Sequence, residues 1–291
     1  MPHDDLPRAE ISRRAFLAAT GTVVAGAAIA TTSPAWARVP EQGSKALSPL
    51  VLSSDLYASP DPQRLAFAIA KGSSFASGAP AKVALAAPGA KEGPVYPTEL
   101  HRAGLPKHRG VYVAEVTLDQ PGVWNALAVT RGKRVPFAIQ VNPQPAAPVV
   151  GAAAPRAASP TKADTLGVKP ICTRRPQCPL HDVSLADVIG TGRPVAVMFA
   201  TPALCQSQYC GPVLDELLDL RAPFADTITF VHVEIYTSNR GATRAPTVEA
   251  WNLPSEPWLY TVDGAGTIVG RLDGAFGSDE MQAQLEALAG A

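Results

Sequence analysis

No cysteine occurs before Cys172, and no histidine follows His232. The first absence excludes a lipid-modified N-terminal cysteine and confines thiol chemistry to Cys172, Cys178, Cys205 and Cys210, all in the second half. An excess of charge is also missing: 25 Lys and Arg stand against 25 Asp and Glu. No whole-chain field therefore recommends nucleic acid or an anionic membrane as a partner. Past the N-terminal region no apolar run approaches the roughly 20 residues that span a bilayer, so no integral membrane segment is expected after residue 37. The balanced total hides an asymmetry. Residues 38–145 carry 12 Lys and Arg against 7 Asp and Glu, residues 146–291 carry 10 against 15, and two such halves should attract one another.

What is present begins with ISRRAFLAATGTVVAGAAIATTSPAWA: the pair Arg13-Arg14, a mild Ala/Gly/Thr-rich run, and a small-x-small end at Ala35-Trp36-Ala37. This resembles a twin-arginine export signal over residues 1–37, with a mature chain starting at Arg38. That route carries folded cargo. It places the four cysteines in an oxidising, extracytoplasmic compartment where disulfides persist.

The mature chain reads as two domains. Over residues 45–143, RLAFAIAK, KVALAA, GVYVAEVT, WNALAVT and RVPFAIQV are short β-rich runs, and Leu65, Phe67 and Ile69 alternate within the first. Short strands, turn signals and no helix suggest an all-β sandwich that resembles the immunoglobulin-like class in size and pattern. His101 and His108 fall in its loops. Residues 144–164 are Pro/Ala-rich and read as an extended linker that keeps the domains apart unless their charges draw them together.

Residues 165–291 alternate helix and strand. Ser184 is placed to cap a short helix ended by Gly190, and RPVAVMFA is apolar enough for a central strand covered on both faces. A helix from Pro212 carries Leu214, Leu217 and Leu218 on one side. TITFVHVEI is a further strand, WLYTV and TIVGRLD flank a turn at Asp263-Gly264-Ala265-Gly266, and SDEMQAQLEAL closes the chain with Met281, Leu285 and Leu288 on one face. The order is that of an α/β thioredoxin-like fold.

Three stretches carry a resemblance to the extracytoplasmic thioredoxin-like family of thiol-disulfide oxidoreductases, in the C-terminal half only. VSLADVIGTGRPVAVMFAT is similar to the family's lead-in to the active site; Pro212-Val213-Leu214-Asp215-Glu216-Leu217 resembles the Pro-containing helix behind its cysteines; EPWLYTVDGAGTIVGRLDGA resembles its cis-proline loop and the hairpin after it. The resemblance implies a cis bond at Pro257 and a catalytic pair: matching Cys210-Gly211-Pro212 to the family's Cys-Gly-Pro makes Cys210 the nucleophile, while alignment on the helix motif, which keeps Pro212 and Leu214-Asp215-Glu216-Leu217 in place and is preferred, makes Cys205 the nucleophile with Cys210 at the helix start. The chain departs from the family in two ways. Leu204 replaces the family's tryptophan, and Gln206-Ser207-Gln208-Tyr209 separates the cysteines where the family has two residues. Glu256, before the implied cis-proline, would disfavour a nearby thiolate.

Cys205 and Cys210 read as a redox-active pair, with a structural bridge and metal ligation as the alternatives. Cys172 and Cys178 read as a structural disulfide. No metal site and no cofactor is expected: a four-cysteine zinc site needs the two pairs to converge, and neither has the spacing of two to four residues usual for each half. A copper-delivery protein would add a histidine from a later loop, and none follows His232, which reads as a hydrogen-bonded core residue; His181 precedes the active-site cysteines. The peroxiredoxin pattern is met at neither cysteine. Two functions from different classes follow: thiol-disulfide exchange with a protein client, or a non-catalytic interaction protein on a thioredoxin scaffold.

Overall fold

Residues 47–71, 74–75, 81–106, 109–204, 210–241 and 243–290 are described by the structure, a computed structural model of the 291-residue chain. The export-signal reading at 1–37 lies outside them, as do Cys205 and His108. All described elements belong to one compact unit, residues 34–291.

The first nine strands are β1 (Leu47–Val51), β2 (Ser59–Lys71), β3 (Ser74–Phe75), β4 (Ala81–Ala86), β5 (Val95–Pro97), β6 (Glu99–His101), β7 (Val111–Leu118), β8 (Gly122–Thr130) and β9 (Lys133–Val141). They form two sheets, β1-β2-β7-β6 with β3 on β2, and β5-β4-β8-β9, antiparallel throughout. Period-2 alternation aims Leu65, Phe67 and Ile69 of one sheet at Val83, Leu85, Ala126 and Ile139 of the other, and all are buried in a shared core. Phe67 packs on Tyr112 and Phe137, with ring centroids 5.5 and 5.4 Å away.

The second half adds α1 (Leu185–Val188), β10 (Val195–Phe199), α2 (Cys210–Leu220), β11 (Thr229–Val233), α3 (Pro246–Ala250), β12 (Trp258–Val262), β13 (Ile268–Asp273) and α4 (Ser278–Ala289). The sheet order is β11-β10-β12-β13, with β10 and β11 parallel and β12 antiparallel to β10. This is the strand order and sense of a thioredoxin-like sheet. β10 is wholly buried, as its unbroken apolar sequence requires. Its Val195, Val197 and Phe199 join a core with Trp251, Trp258 and Tyr260 on one side. Ala196 and Met198 join Val213, Leu214 and Leu217 of α2 and Met281, Leu285 and Leu288 of α4 on the other. The helical faces expected from spacing are the faces that pack. The turn between β12 and β13 forms where expected: Asp263 Oδ1 accepts from the Ala265 and Thr267 N–H groups, and Gly266 takes φ +92°.

One local expectation is corrected. Ser184 makes no side-chain cap for α1. Its hydroxyl accepts instead from the Ser159 N–H at 2.9 Å, while Ser159 Oγ accepts from the Leu185 N–H at 2.9 Å. The cap comes from the Pro/Ala segment because that segment runs beside α1, with Ala147, Ala154 and Ser159 buried.

The same segment lies along the start of β13. Gly151 and Ala154 N–H groups donate to Ile268 and Gly266 carbonyls, and Ala152 accepts from Ile268. The sheet halves also touch directly. Arg64 of β2 reaches Glu280 of α4 at 2.7 Å and the Asp273 and Ala275 carbonyls. Arg271 pairs with Asp55 at 3.1 Å, whose carboxylate also accepts from the Ala146 and Ala147 N–H groups. His101 meets Asp279 at 2.8 Å. Gly274, at φ +74°, lies so near the Leu52 carbonyl that a Cβ there would collide with it. Two of these three pairs, Arg64–Glu280 and His101–Asp279, follow the basic-to-acidic asymmetry of the halves, Arg271–Asp55 runs against it, and the 144–164 segment lies in that packing.

Candidate functional site

In this topology chemistry collects at the C-terminal end of β10, where the chain leaves the sheet and re-enters a helix. Thr201 follows β10 and Cys210 is the first residue of α2. The residues between 204 and 210 lie outside the described part, so the structure leaves the Cys205 to Cys210 reading untested.

Facing this end is the peptide bond before Pro257, which is cis, as the resemblance implied. Glu256 Oε2 accepts from the Thr201 N–H at 2.7 Å and so ties the proline loop to the end of β10. Burial pushes the Glu256 pKa up to about 7 against the opposing Thr201 N–H, with the charge of Glu234 adding to the rise. Two further cis bonds, before Pro170 and Pro176, lie in the segment leading to Cys178.

That segment holds what the sequence did not suggest. Cys172 and Cys178 are free thiols, not the expected bridge, and they meet His181 and His232. The four donor atoms all lie within 4.8 Å of one another. Cys178 Sγ is 3.2 Å from His181 Nε2 and 3.4 Å from His232 Nδ1; Cys172 Sγ is 3.8 Å from His232 Nδ1; the two imidazole nitrogens are 3.2 Å apart. All four residues are buried, at 2, 3, 1 and 0 % exposure. His232 arrives from β11, on the side of the strand where Phe230 packs with Cys172, Cys178 and the α2 residues Val213, Leu214 and Leu217. It is hydrogen-bonded in the core as expected: its Nε2 lies 2.9 Å from the Ala200 carbonyl. That bond requires the proton on Nε2 and turns the Nδ1 lone pair into the cluster.

The electrostatics follow from sharing. Hydrogen bonding from Cys178 lowers the Cys172 pKa, with His181 and His232 helping, while the same bond and burial raise that of Cys178. Burial opposes charge on both imidazoles. It wins at His181, whose pKa is lowered; at His232 the bond to Cys172 and the charge of Glu234 outweigh it.

The cluster is fastened to both flanks of the cysteine loop. Thr173 Oγ1 accepts from the Ala203 N–H at 3.1 Å and donates to Glu234, and Arg174 Nε donates to Asp215 of α2 at 2.6 Å. In the sequence Cys172 and Cys178 stand out as a pair, while His181 and His232 have no evident connection to it or to each other beyond the spacing Cys178-x-x-His181, the one local signal of their convergence.

No family model matches the chain, and no curated protein matches it. Among solved structures, the chain is similar to a proposed thiol:disulfide interchange protein DsbE from Chlorobium tepidum, at 17 % identity and TM-score 0.35, over 48 % of this chain and 98 % of that one. It is similar to a second thiol:disulfide interchange protein of the thioredoxin family from Chlorobium tepidum TLS, at 14 % identity and TM-score 0.35, over 49 % and 99 %. A filamin domain of Lin-41 matches at 9 % identity and TM-score 0.24, over 35 % and 97 %.

Proposed function

We propose that the chain is an extracytoplasmic thiol-disulfide exchange protein that acts on a protein client through Cys205 and Cys210. The observation that supports this reading is the cis bond before Pro257, whose Glu256 is held to the Thr201 N–H just past β10, in the chain that leads on to α2 and its first residue, Cys210. Exchange needs a thiolate near a helix N-terminus and an open approach for a second sulfur. The Cys205 thiolate attacks one sulfur of a client disulfide, forming a mixed disulfide and releasing the other client sulfur as a thiolate. Cys210 then attacks Cys205, the second client thiolate leaves, and the client is reduced by two electrons as the pair is oxidised. A small or protein dithiol resets it.

On this reading the Arg13-Arg14 segment is the export signal, the mature chain starts at Arg38, and the immunoglobulin-like sandwich of residues 45–143, packed against residues 165–291 through the 144–164 segment, positions the client. Among the described residues no helix is long and apolar enough to cross a membrane.

The test is alkylation rate against pH for the reduced full chain, with turnover of a model disulfide. Wild type should turn over, Cys205→Ser should not, Cys210→Ser should stall as the mixed disulfide, and Glu256→Val should speed exchange. A bridge that resists reduction, with Cys205→Ser only lowering the melting temperature, would establish the interaction-protein reading instead.

A further inference from the structure

We propose that Cys172, Cys178, His181 and His232 bind one Zn(II) ion in a closed tetrahedral Cys2His2 site. The proposal does not depend on reactivity at Cys205 and Cys210.

Geometry comes first. Zn–N bonds of about 2.0–2.1 Å and Zn–S bonds of about 2.3 Å place the corners of a tetrahedron about 3.3 Å apart for two nitrogens and about 3.5–3.8 Å apart for pairs that include sulfur. The imidazole nitrogens here are 3.2 Å apart, and the sulfur-to-nitrogen separations of 3.2, 3.4 and 3.8 Å straddle the second range. Four of the six donor separations are thus close to those of one coordination sphere, and all six lie within 4.8 Å, a span that a bound ion would draw in.

The chemistry agrees. Two thiolates and two neutral imidazoles around Zn(II) sum to zero charge, so the ion can be buried without an uncompensated charge, and binding releases two thiol protons to solvent. The hydrogen bond from His232 Nε2 to the Ala200 carbonyl is the outer contact that orients a metal-bound imidazole. A mononuclear tetrahedral S2N2 set suits zinc. With all four residues at most 3 % exposed, no position is left for substrate or for handing an ion to a partner, so the site is structural and not one of delivery. Coordination also shields two buried thiolates from oxidation in the compartment proposed above.

Its role follows from the ties of the 172–178 segment. Through Thr173 to Ala203 and Arg174 to Asp215, a metal-held loop braces both sides of the proposed exchange site.

The experiment uses the full chain purified with reductant and loaded with Zn(II) or Co(II). A single equivalent of zinc should be retained, and Co(II) should give tetrahedral visible bands with thiolate-to-cobalt charge transfer. Cys178→Ser should weaken the charge-transfer band. His181→Gln should lower zinc affinity by more than the roughly 10–100-fold that loss of an outer contact costs. A Cys205→Ser/Cys210→Ser double variant should keep metal and spectrum unchanged, and it remains informative if the ligand variants do not fold. A Cys172–Cys178 disulfide in freshly isolated protein, no metal uptake after reduction, loss of the cobalt spectrum in the double variant, or retention of Cu(I) with rejection of Zn(II) would each overturn the proposal.

Discussion

At Glu256 a carboxyl group stands half-buried before cis-Pro257, with its pKa raised to about 7 chiefly by burial. The unfolded chain gives up this proton near the ordinary Glu value of about 4.3, while the folded protein holds it. The stability this group contributes is therefore complete below about pH 4 and is lost as pH rises toward 7. Glu256→Gln keeps an acceptor for the Thr201 N–H and removes the titration. The variant should gain melting temperature relative to wild type at pH 8 and show no gain at pH 4, read by thermal scans at both values. The four-donor cluster marks the limit of legibility at this scale. Cys172 and Cys178 stood out as a pair and His232 as a core histidine, but His181 and His232 are 51 positions apart, and it is the docking of the 178–181 segment on the edge of β11, through the His232 N–H bond to the Leu180 carbonyl, that brings them to 3.2 Å. Local spacing cannot encode an approach made by a loop laid on a distant strand. The cis bond at Pro257 was legible through the resemblance of its surroundings and not through the residue itself.

Elements were read best where one pattern dominated. β10 is apolar without interruption and is central; α4 has a clean helical stripe at Met281, Leu285 and Leu288, and that stripe is its buried face. The start of α1 was read less well, because a capping serine in the right sequence position is displaced by one from 25 residues away. Tertiary context selects between two equivalent hydroxyls, and sequence distance gives no hint of which. Ser159→Ala removes the oxygen that accepts from the Leu185 N–H and should cost about 1 kcal/mol in urea denaturation. Hydrogen exchange should quicken at the Leu185 amide. Ser184→Ala should leave that amide protected.

Across the whole molecule, the opposite charges of the two halves were visible in composition, but the residues that meet were not. Arg64 and Glu280 lie 216 positions apart, with side chains only 10 and 9 % exposed. Removing one member strands the other in a nearly dry contact, so Arg64→Ala should cost about 3 kcal/mol, whereas an apolar pair at both positions should recover most of it. Urea denaturation of wild type and the two variants measures this, and a transition that splits into two in Arg64→Ala would show that the contact couples the halves. The 144–164 segment reads by composition as a spacer, yet residues 151–154 bond to the β13 side of the second sheet, Ser159 to Ser184 and Lys162 to the His181 carbonyl. That sheet has two borders. At one, the His232 N–H of β11 donates to the Leu180 carbonyl; at the other, residues 151–154 bond to Gly266 and Ile268 beside β13. A strand from another molecule would have to evict this chain's own backbone at both places before it could extend the sheet. Recognition by strand addition is thereby obstructed, and a visitor is left to engage side chains and loops, with the sheet itself sealed against growth.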